Sequence, residues 1–122
     1  MGWKMPTSKE RNEKTNVMLV TPVRVGYVKT VWKDKHIVLV FPHRYSRVLR
    51  LLPFRIRPLV VHVELEEHGT AVWQLIDGKR TVAEIVQELG FHFNYEEGYE
   101  SRVVTYLLQL QKDGLIRLLL PL

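Results

Sequence analysis

Five histidines, His36, His43, His62, His68 and His92, are the residues of this chain best suited to hold a metal ion or move a proton. None of them stands in the HxxxH or HExxH spacing that would aim two imidazoles at one ion from a helix. They read as surface or boundary histidines. Glu66 and Glu67 are the nearest approach to a pair of acids. Adjacent residues on a helix point in different directions, and acids in a first helical turn are already accounted for by the helix dipole. There is no cysteine, so disulfides, thiolate metal sites and cysteine nucleophiles are absent, which fits a reducing compartment and makes the cytoplasm the expected location. Without a nucleophile–base pair, a metal cluster or a phosphate-cradling glycine loop, the expectation is a non-enzyme with no cofactor.

The remaining chemistry is binding. WQLIDGKRTVAEI (73–85) reads as two helices meeting at a tight polar corner, the shape of a DNA-reading helix-turn-helix. The charge lies in the wrong place for that role. Residues 1–61 hold 13 Lys or Arg against 3 Asp or Glu, and residues 62–122, which contain the corner, hold 5 against 10. DNA affinity comes mainly from cations on phosphates, and a reading helix needs basic or amide side chains facing base edges.

The elements that must position any binding surface follow from periodicity. At 122 residues, 46% hydrophobic and 25% charged, the chain has the composition of one soluble domain with a real core. Residues 1–16 are too polar for a secretory signal and read as a tail, and no apolar run reaches the roughly 20 residues that cross a bilayer, so no membrane contact of that kind is expected. The domain is expected over 17–122, with strands and a basic insert at 43–57 in 17–65 and helices in 66–122. VMLVTPVRVGYVKTVW (17–32) and HIVLVF (36–41) read as two antiparallel strands about a Lys33–Asp34–Lys35 turn, and Pro42 ends the second. LVVHVEL (59–65) makes a third, with Leu59, Val61, Val63 and Leu65 on one face and Val60, His62 and Glu64 on the other.

From Glu66 the period becomes helical. Leu65, Gly69, Val72 and Ile76 form one stripe with Trp73 beside it as core, and Asp77–Gly78 stops the helix. Thr81 with Glu84 forms a capping box for a second helix carrying Val82, Ile85, Val86 and Leu89, which Gly90 closes. A third runs from about Gly98 to Asp113 on Val103, Tyr106, Leu107 and Leu110, and LIRLLL (115–120) offers a last strand. The fold class predicted is therefore α+β: a winged helix-turn-helix-like domain with a three-stranded antiparallel sheet, three helices and a short C-terminal strand.

VHVELEEHGTAVWQLIDGKRTVAEIVQEL (61–89) and ESRVVTYLLQLQKDGLIRL (100–118) together resemble the PqqD family of small peptide-binding proteins, also known as RiPP recognition elements. The shared features are an apolar strand ending in Leu and acid, a Gly before an aliphatic–Trp pair, a DG corner, a TVxEI helix, and an Arg–aliphatic helix ending at Gly. The resemblance implies a non-catalytic module that holds the leader of a ribosomally made precursor peptide and presents it to a modifying enzyme, often a radical SAM protein. The leader would add as a strand beside the third strand, along the backbone of Leu59, Val60, Val61, His62, Val63 and Glu64. Arg102, Val104, Leu108 and Gln111 of the third helix are expected to wall the cleft. This chain departs from the family in carrying Glu66 where Asp is common, and in the long basic segment at 43–57.

That segment, with Arg44, Arg47 and Arg50 at every third residue, reads as a short basic amphipathic helix. It is either a solvated connection or a basic border that steers acidic leaders by long-range attraction, with a weak anionic-membrane contact as a third reading. Two other functions stay open at this point: a winged-helix nucleic-acid binder that uses the basic first half, and an adaptor domain that pairs with another protein and never meets a leader.

Overall fold

The computed structural model describes residues 17–42 and 60–121. The expected tail at 1–16, the basic helix at 43–57 and Leu59 lie outside the described residues. The elements, in chain order, are β1 (Thr21–Arg24), β2 (Lys29–Lys33), β3 (His36–Pro42), β4 (Val60–Glu64), α1 (Glu67–Gln74), α2 (Val82–Glu88), α3 (Tyr99–Lys112) and β5 (Ile116–Leu119). The fold is α+β with antiparallel pairing throughout the described strands. β2, β3 and β4 form one sheet in that order, and β1 pairs with β5 in a second.

The second sheet corrects the expectation of one strand over 17–32. Residues 17–19 are helical, β1 and β2 are separate strands, and a turn at Gly26–Tyr27 lies between them. Sixteen extended residues would reach about 50 Å, far beyond an ordinary strand. The turn ends the first piece, and Pro22, which cannot donate to a ladder, suits a strand paired on one side only. The Val25 N–H donates to the Leu115 carbonyl at 3.1 Å and the Tyr27 hydroxyl donates to the Gly114 carbonyl, so the N-terminal piece is held by the chain's other end.

The helices form where the apolar spacing places them. Val72, Trp73 and Ile76 from the first helical stripe are buried, as are Val82, Ile85, Val86 and Leu89 from the second and Val103, Leu107 and Leu110 from the third. The capping box at α2 is complete: the Thr81 hydroxyl accepts from the Glu84 N–H at 3.2 Å, and the Glu84 carboxylate accepts from the Thr81 N–H at 3.1 Å. The corner before it is closed by Asp77, whose Oδ1 accepts from the N–H groups of Lys79 and Arg80, each at 2.9 Å. Gly78 takes φ 79° in that corner, a conformation that favours glycine.

Sheet and helices meet in one core. Ile37 and Leu39 of β3 are fully buried against α1. Trp73, the fully buried side chain at the centre, donates its indole N–H to Thr30 Oγ1 on β2 at 2.9 Å, and the Arg24 guanidinium lies 5.0 Å over its ring. Arg24 also donates to the Trp73 carbonyl at 2.6 Å, placing a cation on the carbonyl end of α1, where the helix dipole favours it.

Candidate functional site

β4 is an edge strand. It pairs with β3 on one side, Glu64 opposite Val38 and Val60 opposite Pro42, and among the described residues no strand pairs with its other side. The ladder also shows which backbone groups are open. The Leu65 N–H donates to the Ile37 carbonyl at 2.8 Å, so Leu65, Val63 and Val61 direct their backbone groups toward β3. By the alternation of an antiparallel ladder, the N–H and C=O groups of Val60, His62 and Glu64 then face outward. Their side chains are exposed while Val61 and Val63 are half-buried, which is the alternation expected of a strand with one face on the core.

The last rung of this ladder is unusual. Instead of donating directly to Leu65, the Ile37 N–H donates to Thr70 Oγ1 at 3.1 Å, and the Thr70 hydroxyl in turn donates to the Leu65 carbonyl at 3.3 Å. A side chain of α1 is thus inserted between β3 and the end of β4. This fixes the point where the edge strand turns into the helix.

Directly after β4, between the start of α1 and the flank of α3, is a cleft of about 200 Å³ lined by Glu66, His68, Gly69, Val72, Phe93, Arg102, Val103 and Tyr106. It exists because Gly69 has no side chain. A Cβ there would stand 2.7 Å from the Tyr106 hydroxyl oxygen, so α1 and Tyr106 approach only over glycine. Burial, reinforced by the negative charges of Glu66 and Asp113, pushes the Tyr106 phenol above its ordinary pKa, so it remains a neutral hydrogen-bonding group in the cleft wall. Arg102 lies 5.5 Å over the Phe93 ring and pairs with Glu96 at 2.8 Å. The same flank of α3 continues into a shallow hollow beside Ser101, Thr105 and Gln109.

The expected site residues divide between two places. Val60, Val61, His62, Val63 and Glu64 form the edge strand, and Arg102 stands in the cleft with Glu66, Gly69 and Tyr106. Val104 is half-buried against the core, and Leu108 and Gln111 are exposed. At about 100° per residue these three lie across the buried Val103–Leu107–Leu110 stripe from Arg102 and Tyr106. The structure adds Glu66, Gly69, Phe93 and Tyr106 to the wall. A glycine within a helical stripe was the available sequence signal, since it weakens a helix unless something packs against it.

His68 and His92, which no sequence spacing connects, are also brought together here, Nδ1 to Nε2 at 2.9 Å. Among the described residues no group of three or more His, Asp or Glu could hold a metal ion.

Comparison with known families matches residues 58–116 to PqqD, coenzyme PQQ synthesis protein D. Residues 58–116 are a PqqD-family domain. The PqqD match begins just before β4 and ends at the first residue of β5, so it contains the open edge, the cleft and all three helices, whereas β1, β2 and β3 precede it. Comparisons with curated proteins and with solved structures gave no match.

Proposed function

We propose that this protein is a non-catalytic peptide-binding accessory factor that takes the leader of a ribosomally synthesised precursor as an added strand along β4 and presents it to a modifying enzyme of the radical SAM type. The observation that carries the reading is the open side of β4 within the PqqD-family domain. Three residues with outward N–H and C=O groups offer up to six main-chain hydrogen bonds to any extended chain.

Those bonds alone are too weak to select a partner. At a net 0.5–1.5 kcal/mol each they supply about 3–9 kcal/mol, which association costs of about 4–15 kcal/mol largely cancel. Side-chain anchoring must add the surplus. The cleft beside the end of β4 supplies it: its volume of about 200 Å³ is comparable with the roughly 150 Å³ of an engineered cavity that holds a benzene ring. One large apolar or aromatic side chain of the leader fills it, with Arg102 and the neutral Tyr106 phenol at its wall. Strand pairing gives the direction, and the cleft gives the register.

The direct test is titration of the isotope-labelled protein with candidate precursor leader peptides. The expected outcome is a set of amide shift changes in Val60, His62, Glu64, Gly69 and the Arg102–Tyr106 flank, with new slow exchange at the three β4 amides. Changes confined to β1, β5 or α2 would overturn the assignment.

A further inference from the structure

The loop between α2 and α3 holds two of the three non-glycine residues with positive φ among the described residues, the third being Asp34 in the β2–β3 turn. Asn94 and Tyr95 both take positive φ, 53° and 52°, without being glycine. Such conformations cost free energy and persist only where surrounding contacts hold them. Phe93 is the loop's buried anchor, stacked on Tyr99 with centroids 5.7 Å apart and on His68 with centroids 4.7 Å apart. The second attachment to α1 is the His68–His92 contact.

That contact is head-on. The nitrogens are 2.9 Å apart and the ring centroids 5.1 Å apart, so the nitrogens lie close to the line joining the two rings, which stand at 89° to each other. A bond of this kind needs one ring to donate and the other to accept, and therefore one shared proton. A doubly protonated pair has donors on both sides and two positive charges in contact, so the second proton breaks it. The surrounding charges are mixed. From α1 and the residue before it come Glu67 and Glu66, and from the β2–β3 turn and the start of β3 come Lys35 and His36. From α3 come Tyr106 and Arg102, the latter matched by Glu96 of the loop.

We propose that the His68–His92 bond is a proton-operated clasp that ties the 90–95 loop to the start of α1 and releases it on acidification, altering the wall of the cleft that His68 and Phe93 share. The clasp links two elements through one exchangeable proton, and release leaves the stacking of Phe93 on His68 as the loop's ring contact with α1.

The test uses the full chain without peptide, so its result does not depend on the functional reading above. Long-range proton–nitrogen spectra are followed from about pH 8 to about pH 5, the range in which imidazoles change charge. A clasp makes the two rings titrate as a coupled pair in two steps, and the amides of Phe93, Asn94 and Tyr95 shift with the second step while those of β1 and β5 do not. H92Q then moves the titration midpoint of His68 and abolishes the second-step shift of the loop, and H68Q does the reciprocal. Two independent single-step titrations, each indifferent to replacement of the other ring, would overturn the proposal, as would loop amides that fail to follow the second step. If either variant folds poorly, the two-step coupling and the loop response in the wild-type chain decide the matter.

Discussion

Thr70 is the buried polar side chain of the described core, and its hydroxyl stands where a backbone rung would otherwise be. Valine has nearly the same shape and no hydroxyl, so Thr70→Val leaves the Ile37 N–H and the Leu65 carbonyl without their bridge inside the core. Loss of a partner for buried groups of this kind costs about 1–3 kcal/mol. Chemical denaturation should show a loss in that range for Thr70→Val and a smaller one for Thr70→Ser, which keeps the oxygen. Equal losses would mean that the methyl group matters and the bridge does not. Trp73 teaches a related lesson: sequence periodicity predicts a core tryptophan, and the structure buries it completely while still giving its N–H a partner in Thr30.

At the scale of elements, the α1–α2 corner depends on an ionised Asp77. The backbone N–H groups of Arg80 and Lys79, followed by the Arg80 charge, hold its carboxyl below the ordinary carboxylate range. Because the folded pKa lies below the unfolded one, the contribution is present above the unfolded pKa and is lost as pH falls through the folded value. Asp77→Asn keeps an acceptor oxygen but not the charge. Its melting temperature should fall below that of wild type at neutral pH, and the gap should close as the solution is taken below the ordinary carboxylate range of about pH 4. A gap that stays constant across that range would assign the effect to geometry alone. The flanking Arg80–Asp77 and Arg80–Glu88 pairs are partly exposed and contribute little by themselves.

The approach of α1 to α3 over Gly69 belongs to the same scale. In Gly69→Ala the new Cβ meets the far end of the Tyr106 side chain, which can swing aside, while alanine improves helix propensity by about 0.5–1 kcal/mol. The fold should therefore tolerate the change with little shift in melting temperature. Peptide affinity should drop by about tenfold, equivalent to 1.4 kcal/mol, as the displaced phenol reshapes the cleft. Calorimetric titration reads this directly, and unchanged affinity would move the anchoring side chain elsewhere.

For the whole molecule, the uneven charge is the dominant feature. The basic half includes Lys29, Lys33 and Lys35 on the exposed β2 and its turn, and the acidic half includes Glu64 and Glu66 beside the open edge. Steering of an acidic leader by the basic half, as proposed, would act over distances that salt screens, about 10 Å at 0.1 M and 3 Å at 1 M. Affinity for an acidic leader should fall when salt is raised across that range, mainly through a slower association rate. An association rate indifferent to salt would leave the basic segment at 43–57 as a solvated connection.

The sequence by itself determined the local structure: three helices from the 3.6-residue stripes, the capping box from Thr81 and Glu84, the corner from Asp77–Gly78, and the alternating faces of the strand that becomes β4. These are legible because they depend on neighbours within a few residues. It also carried the resemblance that the PqqD match over residues 58–116 bears out. The tertiary structure alone decided the pairing of β1 with β5, the insertion of Thr70 into a ladder, the closeness of Gly69 and Tyr106, and the meeting of His68 with His92. Each of these joins residues whose separation along the chain carries no periodic signal, because which distant surfaces meet is set by how the whole core closes.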